Sequence, residues 1–236
     1  MTVTDASDPI IELRDVDFRY PVAGSFGLRI KSLAATAGDS IAVVGPSGSG
    51  KTTLLGLLAG ILKPTSGRIR VHETELSQLD DRQRRQFRIR NIGQVFQAFE
   101  LLHYLTVVEN VMLPHYIRAS GVSSATSRDT ALELLSDMGL GHKANVRPTE
   151  LSQGEQQRVA VCRAMLNQPP VLLADEPTGN LDQENKQNVV DLLLEQARLR
   201  KSTLLMVTHD QSLLDSFSRV LDIRTVASVA TGQESG

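Results

Sequence analysis

One glycine-rich segment constrains the fold of this chain more than any other part of the sequence. Residues 45–52 read GPSGSGKT and match the pattern G-x-x-x-x-G-K-S/T at every defined position. The apolar run SIAVV before it predicts a buried strand, and the run LLGLLAG after it predicts a helix. A strand, a glycine-rich loop and a helix in this order predict a largely parallel α/β sheet with an anion site where the helix begins.

The residue types of this loop suit the phosphates of a triphosphate. Glycines let backbone N–H groups turn inward as a nest for anions. Lys51 supplies a positive charge between the β- and γ-phosphates, and the Thr52 hydroxyl is a hard oxygen ligand for Mg²⁺. A glycine-rich turn without a ligand is the alternative, which the flanking strand and helix disfavour. The predicted phosphate-binding residues are Gly45, Pro46, Ser47, Gly48, Ser49, Gly50, Lys51, Thr52 and Thr53.

Two acids follow another apolar run, VLLA, at residues 175 and 176. Acids at the carboxyl end of a parallel strand lie in the crevice where α/β sheets bind ligands. We therefore predict that Asp175 holds Mg²⁺ and that Glu176 polarises the attacking water as a general base. A turn or a helix cap is the alternative for this Asp-Glu-Pro sequence. His209 follows a strand in the same way, and a hydrogen bond to the γ-phosphate or a structural role both stay open.

Hydrophobic periodicity predicts the remaining elements. Strands are expected at 10–20, as a pair around 27–33 and before 38, at 40–44, 68–71, 92–96, 171–174 and 203–207, and near the C-terminus. Helices are expected from about 50, at 80–88 and at 183–200. Between 105 and 168 helical patterns dominate, which indicates a helical subdomain.

Composition and charge argue against several classes of protein. The 236 residues are 41% hydrophobic with a net charge of -2, which disfavours bulk nucleic-acid binding. Five arginines between 82 and 90 are interpreted as a solvated helix face. The longest apolar run, at 54–62, is shorter than the roughly 20 residues of a spanning helix, so any membrane attachment is expected through a partner. The N-terminus shows no signal-peptide pattern, and Cys162 is expected to be buried.

Further motifs, placed in a fixed order around the loop and the acids, resemble those of the ABC ATPase family. The segment LSQGEQQRVA at 151–160 resembles the family's signature, and Gln97 in VFQAFEL resembles its Q-loop glutamine. Residues 180–182 (NLD) resemble the D-loop, and residues 208–210 (THD) resemble the switch-histidine region. Tyr20 resembles the aromatic residue that stacks on adenine, with a buried strand aromatic as the open alternative.

The resemblance covers nearly the whole chain and implies both a fold and a mechanism. It implies a single domain over 1–236: a P-loop NTPase core with a mostly parallel sheet, an N-terminal antiparallel β subdomain and an inserted helical subdomain at about 98–168. Two copies are expected to close head to tail around two ATP molecules and to hydrolyse them to ADP and phosphate. Ser152 and Gly154 of one copy would contact the γ-phosphate held by the other, and Asp182 is expected among the ATP-binding residues.

The resemblance also implies an integral membrane permease as a partner. Gln97 is expected to ligate Mg²⁺, to act in catalysis beside Glu176 and His209, and to connect to the helical region. A groove in that region is expected to receive a coupling helix of the permease. This arrangement implies a location at the cytoplasmic face of the inner or plasma membrane, and no nucleic acid is expected as a partner.

A narrower resemblance concerns ADEPTGNLD at 174–182 together with residues 95–114, which resemble the branch of lipoprotein-releasing, macrolide-export and FtsE-type cell-division ATPases. An export or extraction ATPase is implied, with an FtsE-like regulatory ATPase as the alternative. A soluble ABC ATPase is disfavoured because no coiled coil, zinc motif or tandem cassette is visible. Gln153 replaces the first signature glycine and Glu155 replaces the common glutamine, but Ser152 and Gly154 are kept, so a competent site is expected.

Overall fold

The computed structural model describes residues 8–21, 26–117, 123–179, 181 and 183–230. Within these ranges ten strands form two five-stranded sheets. The strands are β1 (Ile11–Arg19), β2 (Gly27–Ala35), β3 (Ser40–Val44), β4 (Ser66–Val71), β5 (Thr74–Glu75), β6 (Ile92–Phe96), β7 (Val171–Asp175), β8 (Thr203–Val207), β9 (Arg219–Asp222) and β10 (Ala227–Ala230). Periodicity therefore predicted the position of most strands correctly.

The first sheet is antiparallel, in the order β10-β2-β1-β4-β5. The register of β1 and β2 runs from Ile11 opposite Ala35 to Arg19 opposite Gly27. Because β2 pairs with β1 along its whole length, the expected pair of strands between 27 and 38 is one strand, and that expectation is wrong. The sheet buries alternate residues such as Leu13, as a half-covered sheet does.

The second sheet is parallel, in the order β6-β7-β8-β3-β9. All five residues of β8 and four of the five in β7 are buried, which is typical of parallel strands covered on both faces. The carboxyl ends of β3, β6, β7 and β8 meet at one edge. Gly45, Gln97 and Asp175 lie at those ends, and His209 follows β8 by two residues, so the sheet brings these predicted site residues to one edge.

The α-helices of the described ranges are α1 (Lys51–Leu58), α2 (Asp81–Asn91), α3 (Val107–Val111), α4 (Leu113–Ile117), α5 (Ser124–Asp137), α6 (Gln153–Met165) and α7 (Gln183–Leu199). Short 3-10 helices lie at Leu76–Gln78, Gly141–Lys143, Pro148–Glu150, Gln211–Ser216 and Ile223–Thr225. Between β6 and β7 the described residues form helices and no strand, as periodicity predicts. Leu134 and Val159 of this region share one apolar core with Leu172 of the parallel sheet. The boundaries of a separate helical subdomain at 98–168 stay a prediction.

The arginine-rich helix α2 corrects one expectation. Arg82, Arg85 and Arg90 are exposed. Arg84, however, is buried and donates to the Leu79 carbonyl at 2.9 Å, and Arg88 is half-buried and points at the carbonyls that follow α1. The interpretation of the whole run as a solvated face is therefore wrong for these two residues. Their aliphatic arms pack against neighbouring elements while the guanidinium groups bind backbone carbonyls.

The buried state of Cys162 is confirmed. Its side chain lies in the main apolar core, and its thiol donates to the Leu134 carbonyl at 3.5 Å. Burial raises the pKa of this thiol to about 12, so it acts as a small apolar residue rather than as a nucleophile. None of the helices in the described ranges combines the length and the apolar character of a membrane span.

Candidate functional site

A cavity of about 520 Å³ lies at the carboxyl edge of the parallel sheet. The glycine-rich loop between β3 and α1 forms one wall, and aromatic side chains beside β1 and β2 form the other. The lining residues are Tyr20, Phe26, Gly45, Ser47, Gly48, Gly50, Lys51, Thr52, Thr53, Glu176 and His209. The structure therefore brings ten of the predicted site residues together, and Phe26 joins them without having been predicted.

The glycine-rich loop turns its backbone toward this cavity. Gly48 has φ +74° and Gly50 has φ +95°, a left-handed conformation that residues with a side chain rarely adopt. A Cβ added at Gly48 would meet no atom within 4 Å, so the cavity is open there. Gly50 is the N-cap of α1 and makes no side-chain capping bond, which leaves the first N–H groups of the helix available to an anion.

Lys51 carries the positive charge of the loop. Its Nζ donates to the carbonyl oxygens of Gly45 and Pro46, each at 2.9 Å, and the side chain is buried. Ser49 also donates from its hydroxyl to the Pro46 carbonyl, at 2.8 Å. Pro46 and Ser49 do not line the cavity; they shape the turn that fixes the ammonium at the cavity wall.

Thr52 and Asp175 lie side by side behind the loop. Burial raises the pKa of the Asp175 carboxyl, Glu176 adds to the rise, and a hydrogen bond with Thr52 and the charge of Lys51 oppose it. Thr52 lines both the main cavity and a smaller neighbouring one that Asp175 lines. A hydroxyl and a carboxylate are hard oxygen donors, and a buried carboxylate is best compensated by a cation. This pair therefore fits Mg²⁺.

Glu176 and His209 lie beside each other in the lining of the cavity. The Glu176 Oε2 atom lies 3.3 Å from His209 Nδ1. The backbone N–H of Glu176 donates to the Val207 carbonyl at 3.1 Å, which joins the ends of β7 and β8. Glu176 has φ +44°, an unusual value for glutamate that turns the chain just after Asp175. The two predicted catalytic side chains therefore form one pair at the cavity.

Tyr20 lies on the cavity wall and not inside the core. It is 38% exposed, its hydroxyl lies 3.3 Å from Thr53 Oγ1, and its ring packs edge-on against Phe18. This position disfavours the buried-aromatic alternative. Phe26 tilts against Tyr20 with ring centroids 6.3 Å apart, and sequence patterns missed it because it precedes β2 without any motif.

Gln97 follows β6 but does not line the cavity. Its side chain instead lies against the turn after Glu176. A Cβ added at Gly179 would lie 2.7 Å from the Gln97 Nε2 atom. The structure therefore places Gln97 against the segment that follows Asp175 and Glu176, outside the lining of the nucleotide cavity.

The signature segment begins helix α6 away from the cavity. Ser152 is the exposed N-cap, and its hydroxyl accepts from the Glu155 N–H at 3.3 Å. The Glu155 carboxylate accepts from the Ser152 N–H at 2.9 Å and from Lys143 Nζ at 2.6 Å. The bond from Lys143 is the main reason that the pKa of Glu155 falls to about 2. Ser152 and Gly154 do not line the cavity, so the structure does not bring them to the phosphate loop of the same chain.

The predicted D-loop is only partly described. Asp182 and Asn180 lie outside the described residues, while Leu181 packs against the main core. The predicted role of Asp182 in ATP binding therefore stays a prediction.

The fold and the site define the class of this protein. A parallel strand runs into a glycine-rich loop with a fixed lysine, a helix begins there with a threonine, and a second strand ends in paired acids. This combination is that of a P-loop nucleoside triphosphatase.

Comparison with known proteins narrows the class. The family model for the ABC transporter family matches residues 28–179. The lipoprotein-releasing system ATP-binding protein LolD of Xanthomonas campestris is 45% identical over 191 residues, which cover 81% of this chain and 79% of that protein. LolD of Psychrobacter arcticus is 46% identical over 192 residues, covering 81% of this chain and 84% of its own length.

Solved structures similar to this chain are also ABC proteins. A dimeric ATP-binding cassette in a post-hydrolysis state with ADP and Pi superposes with a TM-score of 0.77 at 32% identity, covering 95% of this chain and 100% of that one. The protein cbiO1 of Clostridium perfringens, part of the ABC transporter complex cbiONQ, superposes with a TM-score of 0.80 at 26% identity, covering 92% and 86%.

This chain belongs to the ABC transporter family. It is an ATP-binding subunit and an ATPase of that family. The predicted fold class, a P-loop core with a parallel sheet and an antiparallel β-sheet, is confirmed.

Proposed function

We propose that this chain is the ATPase subunit of a membrane complex of the lipoprotein-releasing kind and that it works as a head-to-tail dimer on an integral membrane permease. The observation that carries the proposed dimer is the separation of the predicted ATP-binding residues into two places on the chain. The cavity holds the phosphate loop and the catalytic pair, whereas Ser152 and Gly154 lie outside it. Identity of 45% to a LolD protein over most of the chain supports the substrate class.

The phosphate loop binds the β- and γ-phosphates of ATP in this proposal. Backbone N–H groups at the start of α1 and the Lys51 ammonium neutralise the phosphate charge. Thr52 and Asp175 would hold Mg²⁺, and Gln97, which packs against Gly179 in this structure, would have to turn toward the cavity to serve as a further oxygen ligand. When bound, Mg²⁺ neutralises charge on the phosphate oxygens. Tyr20 offers its ring to the adenine at the opposite wall.

Hydrolysis then needs a base and a donor near the γ-phosphate. Glu176 accepts the proton of the attacking water, which lets the oxygen attack phosphorus while ADP leaves. His209, whose Nδ1 atom lies 3.3 Å from Glu176 Oε2, would donate a hydrogen bond from its other ring nitrogen to the γ-phosphate. Products are ADP and phosphate.

The second copy completes the site. Ser152, Gly154 and the start of α6 approach the γ-phosphate held by the other protomer, where the positive end of the helix dipole favours an anion. ATP bridges the two halves and ADP does not, because only ATP has the γ-phosphate. Hydrolysis therefore opens the dimer and can drive a conformational change in the permease.

A groove beside β6 is the proposed contact with the permease. Its volume is about 280 Å³, and it is lined by Arg88, Ile89, Ile92, Gly93, Gln94, Phe96, Glu100, Leu113, Pro114, Ile117, Arg163, Ala164 and Asn167. Phe96 and Ile117 expose apolar surface here, at 37% and 64%. A coupling helix of the permease buries these side chains, which holds the chain at the cytoplasmic face of the membrane. Because the groove adjoins Gln97, its occupant can influence the site.

The proposal is tested by capture from native membranes. Tagged Glu176→Gln, held in the ATP state, is incubated with detergent-solubilised membranes, and bound proteins are identified by mass spectrometry. We expect an integral membrane protein with a large extracytoplasmic domain. Its identity separates lipoprotein release from FtsE-like regulation.

A matched pair of surface variants controls the capture. Ile117→Glu, added to Glu176→Gln, is expected to lose the permease because it places a charge in the groove. Leu199→Glu changes another exposed apolar residue, 59% exposed on α7, and is expected to leave capture unchanged. Recovery of soluble partners alone would contradict the membrane role.

A further inference from the structure

The loop after Gln97 has an unusual backbone. Phe99 has φ +57° and Glu100 has φ +53°, so two successive non-glycine residues occupy the left-handed region. Side chains are strained in this conformation and persist there only where neighbouring groups hold them. Phe99 is itself buried in the main core. Burial of the Phe99 ring leaves the two carbonyl groups of this pair to be held by another residue.

Arg163 holds it from helix α6. Its guanidinium donates to the Phe99 carbonyl at 2.6 Å and to the Glu100 carbonyl at 2.5 Å. One planar, charged group thus binds two successive carbonyls through a rigid fork whose two N–H donors point in fixed directions.

The two ends of the loop are fixed by different residues. Downstream, buried Asn110 accepts from the Leu102 N–H at 2.8 Å and donates to the Leu102 carbonyl at 3.0 Å. Upstream, Phe99 and Glu100 rest on Arg163. The backbone of α6 at Arg163 is held against β6, because the two elements pack closely. A Cβ added at Gly93 would lie 2.6 Å from the carbonyl oxygen of the next residue, Ala164.

The loop leads to the proposed catalytic base. Gln97 packs its amide against Gly179, and the Gly179 N–H donates to the Glu176 carbonyl at 3.1 Å. A change in the loop backbone therefore moves a side chain that touches the turn of the base. Arg163 and Glu100 also line the proposed permease groove, so the same contact adjoins the partner.

We propose that Arg163 is a positioning residue for hydrolysis: its guanidinium holds the strained Phe99–Glu100 backbone, and thereby sets Gln97 against the segment that carries Glu176. It also ties this loop to the helix that begins with the signature. The inference rests on the proposed function of the site, and it adds a residue that touches neither nucleotide nor Mg²⁺.

The test compares variants of the full chain. Arg163→Met keeps the length of the side chain and removes both hydrogen bonds. We expect kcat to fall roughly tenfold to a hundredfold, as a misplaced catalytic group does, with little change in KM for ATP. Amide hydrogen exchange at 98–101 is expected to become faster, because the loop loses its anchor. Arg163→Lys is expected to fall between, and it carries the test if Arg163→Met does not fold.

A rescue separates positioning from general packing. Glycine adopts a left-handed φ without strain, so Glu100→Gly removes the strain at one of the two positions that Arg163 holds. We expect Arg163→Met/Glu100→Gly to recover slow exchange and most of kcat. Arg84→Met, which removes another buried arginine that binds a backbone carbonyl, is the control and is expected to leave loop exchange and kcat unchanged.

The outcomes are distinct. Faster exchange and lower kcat, both restored by Glu100→Gly, support the inference. Unchanged loop exchange in Arg163→Met, or a glycine that restores neither quantity, overturns it. Glu176→Gln and Gln97→Ala are measured in parallel: normal turnover in these would contradict the proposed site, whereas loop exchange still reports on Arg163 alone.

Discussion

Two helix N-termini in this chain are built for opposite purposes. Helix α1 begins at Gly50 without a side-chain cap and without an acid in its first turn. Helix α6 begins with a complete capping box between Ser152 and Glu155, and Glu155 also pairs with Lys143. The start of α1 leaves its free backbone N–H groups available to phosphate. At the start of α6, the side chains of Ser152 and Glu155 already accept hydrogen bonds from backbone N–H groups. The phosphate loop is therefore a binding site in itself, whereas the signature is a stable surface that adds to a site on another copy.

The largest effect is expected at the catalytic pair, Glu176 and His209, which lines the same cavity as the start of α1 and lies apart from the start of α6. Glu176→Gln keeps the shape of the side chain and removes the base. We expect turnover to fall roughly 10²- to 10⁴-fold while ATP still binds. Single-turnover hydrolysis and equilibrium ATP binding check this, with Glu195→Gln on the exposed face of α7 as the control. Near-normal turnover would remove Glu176 as the base.

Lys51→Ala breaks the phosphate loop itself. The variant removes the buried ammonium that the loop carbonyls hold. We expect ATP affinity to fall roughly a hundredfold, equivalent to about 3 kcal/mol. Titration of the isolated chain with a fluorescent ATP analogue measures it, and Lys63→Ala outside the cavity serves as the control. Unchanged affinity would overturn the assignment of the loop.

Ser152→Arg changes the N-cap of α6 and leaves the phosphate loop intact. Because Ser152 lies outside the cavity of its own chain, ATP binding by the monomer is expected to stay within about twofold of normal. Turnover is expected to fall at least about tenfold, since the arginine obstructs the dimer interface. The same titration and hydrolysis assays apply. Loss of both properties together would indicate a folding defect rather than a split site.

The smallest expected effect concerns the stability of the signature cap. The folded pKa of Glu155 is about 2, below its ordinary 4.5, so its charged contacts contribute stability fully above about pH 4.5 and lose it as the pH falls through 2. Glu155→Gln keeps the cap and removes the charge. We expect a loss of about 1 kcal/mol in the free energy of unfolding at neutral pH.

The pH dependence of that loss is the distinguishing measurement. Urea unfolding at several pH values should show the difference between wild type and Glu155→Gln shrinking between pH 5 and pH 2. Glu195→Gln, which changes an exposed acid, should show no such trend. A difference that is constant over this range would mean that Lys143 and Glu155 do not stabilise the segment through charge.

Local patterns were enough to predict the parts of the fold that depend on neighbours in sequence. The strands at 92–96 and 203–207 and the loop at 45–52 follow from short apolar runs and glycine spacing. The same holds for the position of Asp175 and Glu176 at a strand end.

The rest depends on partners that are distant in the chain. Arg84 and Arg88 read as solvated because charge patterns do not show what packs opposite them. Phe26 and Lys143 carry no motif, and their roles arise from contact with Tyr20 and Glu155. Periodicity also could not tell that Gln97 rests on Gly179 and not in the cavity. Tertiary contacts of this kind are the part that sequence patterns cannot supply.

The most direct test of the split site mixes two broken subunits. In the Glu176→Gln background, Lys51→Ala is labelled with a donor fluorophore and Ser152→Arg with an acceptor, and ATP-dependent energy transfer is measured. A dimer of either variant with itself has no intact site, whereas the mixed dimer keeps one phosphate loop facing one signature. We predict ATP-dependent transfer in the mixture and no ATP-dependent association of either variant alone. A mixture that behaves like its separate components would contradict a site shared between two copies.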